Sequence, residues 1–404
     1  MKFKKKHLFI LLFCIILLFL LIFFIVSAIS RNTSPIIGFY HLEPNIIEAI
    51  KTSFDEKSDL FSNKKQKYRY LILDSELPLK SQLDESKHIA VVFSYNGASQ
   101  DSISKSASKF DSKILGIMPS SMRNVSNNSL PILLNHLEMD VYNKVYVNFG
   151  KNEIASLTKV LEVGNVEVDS EKFNTVMTLN GQNDKILSYF LSGYIESRYG
   201  IEELNKITAF LSENQKIYEN QDFLEVPELE KLKLVCDEML ALKKSGLFHS
   251  AWDEMAFDDI KNFMEAKKVA FVFMDLYSHR QISYGIIKNY SESFFPSGRL
   301  AGFGSGRSLI VPTVMATCFE TPNKVASSEC KMIVETFVSL EEQRILARNS
   351  GLAPVASSAD TQDKQAYNVR LWGASSDSLG LDFGSGFTNP VAKKEFFAAL
   401  RSYL

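Results

Sequence analysis

Residues 89–97 read Ile89-Ala90-Val91-Val92-Phe93-Ser94-Tyr95-Asn96-Gly97. A run of β-branched and aromatic apolar side chains specifies a short buried strand, and the Ser-Tyr-Asn-Gly beyond it is a polar turn. Two upstream segments share this pattern, Ile36-Ile37-Gly38-Phe39-Tyr40 and Tyr68-Arg69-Tyr70-Leu71-Ile72-Leu73. Between them Glu43-Pro44-Asn45 opens a helix to about Phe54, with Pro44 near the start, where a missing N–H costs little. Short apolar strands alternating with helices predict βαβ units, a parallel sheet and an α/β class. In such sheets ligands bind outside the carboxyl ends of strands. That rule nominates Tyr40 and His41 after the first strand, and Ser94, Tyr95 and Asn96 after the third.

Downstream the chain is first helical and then alternating again. Asp184 to Tyr199 places Ile186, Leu187, Phe190, Leu191, Tyr194 and Ile195 on a helical period before stopping at Gly200. Glu228 to Lys244 repeats the pattern, with Gly246 as its stop, and Asp258 to Ala266 is a shorter helix. Lys268 to Met274 returns to strand, and Ser308-Leu309-Ile310-Val311 is a further strand after a Gly-rich stretch. Thr321-Pro322-Asn323 opens one long helix to about Ala347, closed by Asn349-Ser350-Gly351.

At the N-terminus Lys2, Lys4, Lys5 and Lys6 precede an unbroken apolar run from Leu8 to Val26 and then Ser27-Ala28-Ile29-Ser30. The run exceeds the roughly 7–15 residues of a signal-peptide core and reaches the roughly 20 needed to span a bilayer. Residues 1–30 therefore read as an uncleaved anchor or as a signal peptide cut at the small residues. In both cases the lysines stay inside and the bulk of the chain is exported, either tethered to the inner membrane or secreted.

The 404 residues are too many for one core and suit two lobes after the N-terminal segment. A net charge of -2, with Lys and Arg spread along the chain, gives no basic face for nucleic acid. Outside the apolar run stand Cys236, Cys318 and Cys330, at no zinc-ligand spacing. Cys318 and Cys330 fit either a disulfide in an oxidising compartment or small buried thiols. No H-E-x-x-H, G-x-S-x-G, C-x-x-C or Walker pattern occurs, the six histidines are scattered, and neither a metal nor a cofactor is expected.

Several segments, taken in order, resemble the extracellular solute-binding proteins of ABC importers, in particular the sugar-binding family that includes maltodextrin receptors. Phe263-Met264-Glu265-Ala266-Lys267-Lys268-Val269-Ala270-Phe271 is similar to that family's F-x-x-G-K-x-A-M element. Residues Ala326 to Gln343, with Phe337, Ser339, Glu341 and Gln343, resemble its A-x-x-F-x-x-F-L-x-S-x-E-x-Q helix, and Gly351-Leu352-Ala353-Pro354-Val355 its G-x-x-P-V close. Thr178-Leu179-Asn180-Gly181 also fits, while the crossover that usually holds a Tyr-Asn pair reads Leu133-Leu134-Asn135-His136. The resemblance implies a periplasmic-binding-protein fold of two hinged lobes with a small polar ligand, such as a sugar, between them. It places one lobe at 35–142 plus 300–349 and the other at 143–299 plus 350–404, with crossings near Tyr142, Leu300 and Ser350. An ABC permease and the membrane are the implied partners.

A sugar cleft needs aromatic faces for the ring and polar groups for its hydroxyls. Trp252 and Trp372, both in polar surroundings, are the tryptophan candidates, each with core packing as the competing reading. Tyr277 follows the strand ending at Met274, where the family often places a stacking aromatic. Gly302-Phe303-Gly304-Ser305-Gly306-Arg307 lacks a Gly-Lys-Ser/Thr ending and precedes a strand, so it reads as a hinge-proximal loop offering Ser305 and Arg307 rather than as a phosphate loop. Asp253, Glu254, Asp258 and Asp259 suit a helix start better than a pair of glycosidase carboxylates. The expectation is a binding protein and not an enzyme. A membrane-anchored sensing or scaffolding ectodomain without transport, and a carbohydrate-active hydrolase, are the alternatives.

Overall fold

The computed structural model describes residues 34–61, 68–123, 128–145, 175–293, 309–356, 358–359, 363–375 and 379–404, with Ile16 and Leu17. The expected N-terminal anchor otherwise lies outside the described residues, as do Leu300, Ser305 and Arg307. Among the described residues no helix is long and apolar enough to cross a membrane.

Two separate sheets organise the chain. The first joins strands β1 (Ile36–Tyr40), β2 (Arg69–Ile72), β3 (Ile89–Tyr95), β4 (Ser129–Leu134), β10 (Thr313–Cys318) and β11 (Ala353–Pro354) in the order β11-β4-β10-β3-β1-β2. Strand β1 runs parallel to both β2 and β3, as the alternating pattern predicts, while β10 is antiparallel to β3 and β4. The second sheet has the order β6-β7-β5-β8, from β5 (Leu137–Tyr142), β6 (Thr175–Leu179), β7 (Val269–Asp275) and β8 (Tyr290–Ser293). Each sheet has its own apolar core. Phe39, Phe54, Phe93 and Phe337 anchor the first, and Phe190, Phe248, Trp252, Phe271 and Phe396 the second. At about 25 cal/mol per Å² of apolar surface, such buried aromatics dominate the stability of each half.

The boundaries differ from the expected ones. Strand β5 belongs wholly to the second sheet, so the chain passes between sheets at Asn135-His136 and not near Tyr142. Strand β11 still pairs with β4, and Ala366 and Val369 of helix α11 (Lys364–Ser375) lie in the first core. The return near Ser350 is thus later, and only from Phe383 onward does the chain enter the second core. The strand expected at 308–311 is also displaced. Only β9 (Leu309–Ile310) pairs there, with β12 (Leu379–Gly380), and the six-residue sheet strand starts beyond Pro312. Proline has no N–H to give to a ladder, which explains the break.

The single helix expected over 321–347 is two, α9 (Lys324–Thr336) and α10 (Leu340–Ser350). Ser339 caps the second by accepting from Glu342 N, and Gly351 ends it in the left-handed region. Helix α1 (Pro44–Phe61) is longer than expected. Cys236, Cys318 and Cys330 are free, buried thiols, so Cys318 and Cys330 are not bridged. Burial pushes all three thiols up.

Candidate ligand-binding cleft

A cavity of about 640 Å³ opens between the two halves. That volume falls within the roughly 300–1,000 Å³ of small-molecule sites. One wall is made by the carboxyl ends of β1 and β3, carrying Tyr40, His41, Ser94, Tyr95 and Asn96, which are five of the residues nominated from sequence. The opposite wall is the start of helix α4 (Asp184–Tyr199), with Gln182, Asn183, Lys185 and Tyr189, and the stretch from Asp382 through helix α12 (Pro390–Tyr403), with Phe387, Lys393 and Arg401.

The first wall combines aromatic and polar groups. Tyr40 is buried, donates its hydroxyl to Leu77 O at 3.1 Å and stacks edge-on with His41. Burial raises the Tyr40 hydroxyl to about 12, against a hydrogen bond from Ser99 that lowers it. Ser94 Oγ is buried and meets no hydrogen-bond partner among the described residues. Asn96 is committed to the first sheet: its side-chain oxygen accepts Thr313 N at 3.0 Å and its backbone N–H donates to Thr313 O at 2.9 Å, at the start of β10.

His41 leaves the strand at a φ of 54°, a conformation that non-glycine residues seldom adopt and that clusters at functional sites. It lines the cleft as an exposed residue, with other cleft-wall groups close to its ring. The desolvation they impose, with the Lys393 charge, lowers the imidazole to about 4. In an NMR titration of its ring protons the midpoint is expected near pH 4, and a midpoint above 6 would place the ring in open water away from Lys393.

At the base of the cleft Lys185 reaches across the gap. Its ammonium pairs with Glu43 of the first half and, at 3.0 Å, with Asp275 Oδ2 of the second. Tyr95 donates to Glu43 Oε2 at 2.9 Å, and Asn135 Nδ2 donates to Asp275 Oδ2 at 2.8 Å. The rings of Tyr95, Tyr189 and Tyr277 surround the ammonium at 5.3, 5.9 and 5.9 Å from their centroids. Burial opposes the Lys185 charge, but Asp275, Tyr95 and Glu43 outweigh it and hold the ammonium well above its usual range. Burial likewise opposes the Asp275 charge, and Lys185 with bonds from Ser278 N and Asn135 brings that carboxyl below its usual range.

Arg401 lines the second wall but is fully engaged, donating to Gly181 O, Gln182 O and Asp253 O and pairing with Asp184 at 2.6 Å. It fixes the turn that starts α4. Asp382 accepts from Ser188 Oγ at 2.6 Å, which docks the 382–384 stretch onto the same helix.

The remaining candidates lie elsewhere. Trp252 is 0% exposed and packs against Phe190 and Phe248 in the second core, so it is a core residue and not a ligand platform. Tyr277 stands behind Lys185 and does not line the cavity. Trp372 falls within α11, and its side chain lies outside the described residues. Lys185, Glu43, Asp275 and the α12 residues were not nominated from sequence. Glu43 carried only a helix-start signal, and nothing local marks Lys185, the second residue of its helix, as a cross-cleft cation.

No family model matches the chain, and no curated protein matches its sequence. Solved structures do match it along nearly its whole length. The bacterial solute receptor AcbH, described as exclusive for β-D-galactopyranose, aligns with a TM-score of 0.67 at 10% identity, covering 92% of this chain and 96% of that one. RafE from Streptococcus pneumoniae, also known bound to raffinose, aligns at 0.61 and 12%, covering 92% and 97%. Maltose-bound T. maritima MalE3 aligns at 0.58 and 11%, covering 91% and 100%. The chain has the two-lobed fold of these solute receptors.

Proposed function

We propose that the chain is the solute-binding component of an ABC-type importer, held outside the membrane by its N-terminal segment, and that it captures a carbohydrate between its lobes for a permease. The observation that carries this reading is the cleft itself, which draws on the strand ends of one half and a helix start of the other, as hinge closure around a ligand requires. Supporting it, Tyr40, Tyr95, Tyr189 and Phe387 offer apolar faces, and Ser94 Oγ, Gln182 and Asn183 offer polar groups for hydroxyls. Asp184 and Asp382 are engaged by Arg401 and Ser188, an arrangement that holds loops in place instead of moving protons. The reading is therefore binding without chemistry.

The test is a thermal-shift screen of mono- and oligosaccharides on the full-length chain in detergent, followed by calorimetry on any hit. A sugar at 100 times its dissociation constant is expected to stabilise by about 2.7 kcal/mol. Ser94→Ala should weaken that sugar roughly 5- to 10-fold, the worth of one hydrogen bond, without lowering the unliganded melting temperature. A broad screen with no stabilising sugar would count against the carbohydrate reading.

A further inference from the structure

Strand β5 alternates Leu137, Met139 and Val141, which enter the second core, with Glu138 and Asp140 on its other face. An alternating strand of this kind ordinarily turns its acidic face to water. Here both carboxylates are 0% exposed, covered by helix α8 (Leu276–His279) and by the start of α11. His279 Nδ1 lies 3.0 Å from Asp140 Oδ2, and Gln365 Nε2 lies 2.8 Å from His279 Nε2 and 3.3 Å from Glu138 Oε2. Glu292 of β8 adds a third carboxylate nearby, held by Asn368 at 3.1 Å.

Charge and hydrogen bonding are both unbalanced in this enclosure. Among the described residues no donor reaches Glu138 Oε1 or Asp140 Oδ1. The Arg280 guanidinium, whose field reaches Glu138, is engaged by Asp363 at 2.6 Å and by Gln365 Oε1 at 2.6 Å. Buried carboxylates without donors are costly unless a proton or a cation neutralises them. A shared proton would remove one charge, whereas a dication would offset both and take up the unserved oxygens. One ligand atom each from Glu138, Asp140 and His279 lies within 4.8 Å of the others, close enough to surround one small ion.

We propose that Glu138, Asp140 and His279 form a buried site for a first-row divalent cation of the zinc class. An imidazole nitrogen beside carboxylate oxygens suits such an ion better than calcium, which takes six to eight oxygens. Gln365 Nε2 donates to Glu138 Oε2 and so steadies that carboxylate from outside. The site joins β5 of the second sheet to α8, and through Gln365 to α11, whose Ala366 and Val369 pack in the first core. The cation thus staples the two halves beside the Asn135-His136 crossing, and this holds whatever the cleft binds.

Full-length chain in detergent, stripped with EDTA and reloaded with zinc sulfate, is expected to retain one zinc per chain after dialysis, by elemental analysis. Zinc should also raise its melting temperature. Asp140→Asn and His279→Gln should each cut retention at least tenfold at sub-stoichiometric free zinc. Because either variant could fold poorly, the wild-type chain is also titrated with Co²⁺, and saturable visible absorption at one equivalent is expected. Zinc lost on dialysis, no cobalt band, or equal retention in the variants would each overturn the site and leave a proton as the occupant.

Discussion

Replacing Lys185 with methionine is expected to destabilise the protein by about 3–5 kcal/mol, the usual cost of leaving one partner of a buried ion pair alone. The side chain is 23% exposed while Asp275 is 0% exposed, so most of the penalty falls on the stranded carboxylate. Asp275→Asn in the same chain should return part of the loss, because a neutral amide tolerates burial once the cation is gone. Denaturant melts of the single and double variants, analysed as a double-mutant cycle, measure the coupling. Additive losses would show that Lys185 and Asp275 act independently.

The pH dependence follows from the directions of the two shifts. Lys185 is raised above 10.5, so its contribution is complete below 10.5 and is lost only as pH climbs through the higher folded value. Asp275 is lowered below 3.8, so its contribution is complete above 3.8 and is lost as pH falls through the lower folded value. Both partners stay charged between those limits. The Lys185→Met penalty should be flat from pH 5 to 9 and shrink only outside that window, in acid below 3.8 as Asp275 protonates and in alkali above 10.5 as Lys185 loses its charge.

Half of this cleft was legible in the sequence and half was not, for a physical reason. Tyr40, His41, Ser94, Tyr95 and Asn96 follow strands whose apolar runs are local signals, and the geometry of parallel sheets puts a ligand there. The facing wall depends on how the second half docks, a long-range outcome that no window of sequence contains. Glu43 marks only a helix start in the sequence and nothing local singles out Lys185, yet they meet across the gap. Trp252 misled in the opposite sense. Its neighbours Ser250, Asp253 and Glu254 are polar, but Phe190 and Phe248 draw the indole inward. Some breaks were readable after all. Ser339 followed by Glu342 is a capping pattern inside the expected long helix, and Pro312 marks where the antiparallel strand starts.

Gly97→Val is expected to leave the protein folded but unable to close. Gly97 sits in the turn beyond β3 at a φ of 135°, and a Cβ there would lie 2.8 Å from Ser385 Cβ and 2.9 Å from Ser385 O on the facing wall. Ser99 Oγ donates to Phe387 O at 3.3 Å beside it, so the two halves touch here with no room for a side chain. Two penalties must be separated. The backbone strain, about 1–3 kcal/mol for a side chain at such a φ, exists whether the halves are apart or together, and so it lowers the melting temperature alone. The clash with Ser385 exists only when the halves meet, and so it falls on closure and on any ligand whose affinity depends on it. With the stabilising sugar in hand, small-angle scattering should show the wild-type chain contracting on addition and the variant staying extended, with affinity lower by roughly 10- to 100-fold, or about 1.4–2.8 kcal/mol. A variant that melts earlier but contracts as the wild type does would mean that the 97–385 contact forms without being needed for closure. The grip would then rest on other contacts between the halves, the Lys185 pair with Glu43 among them.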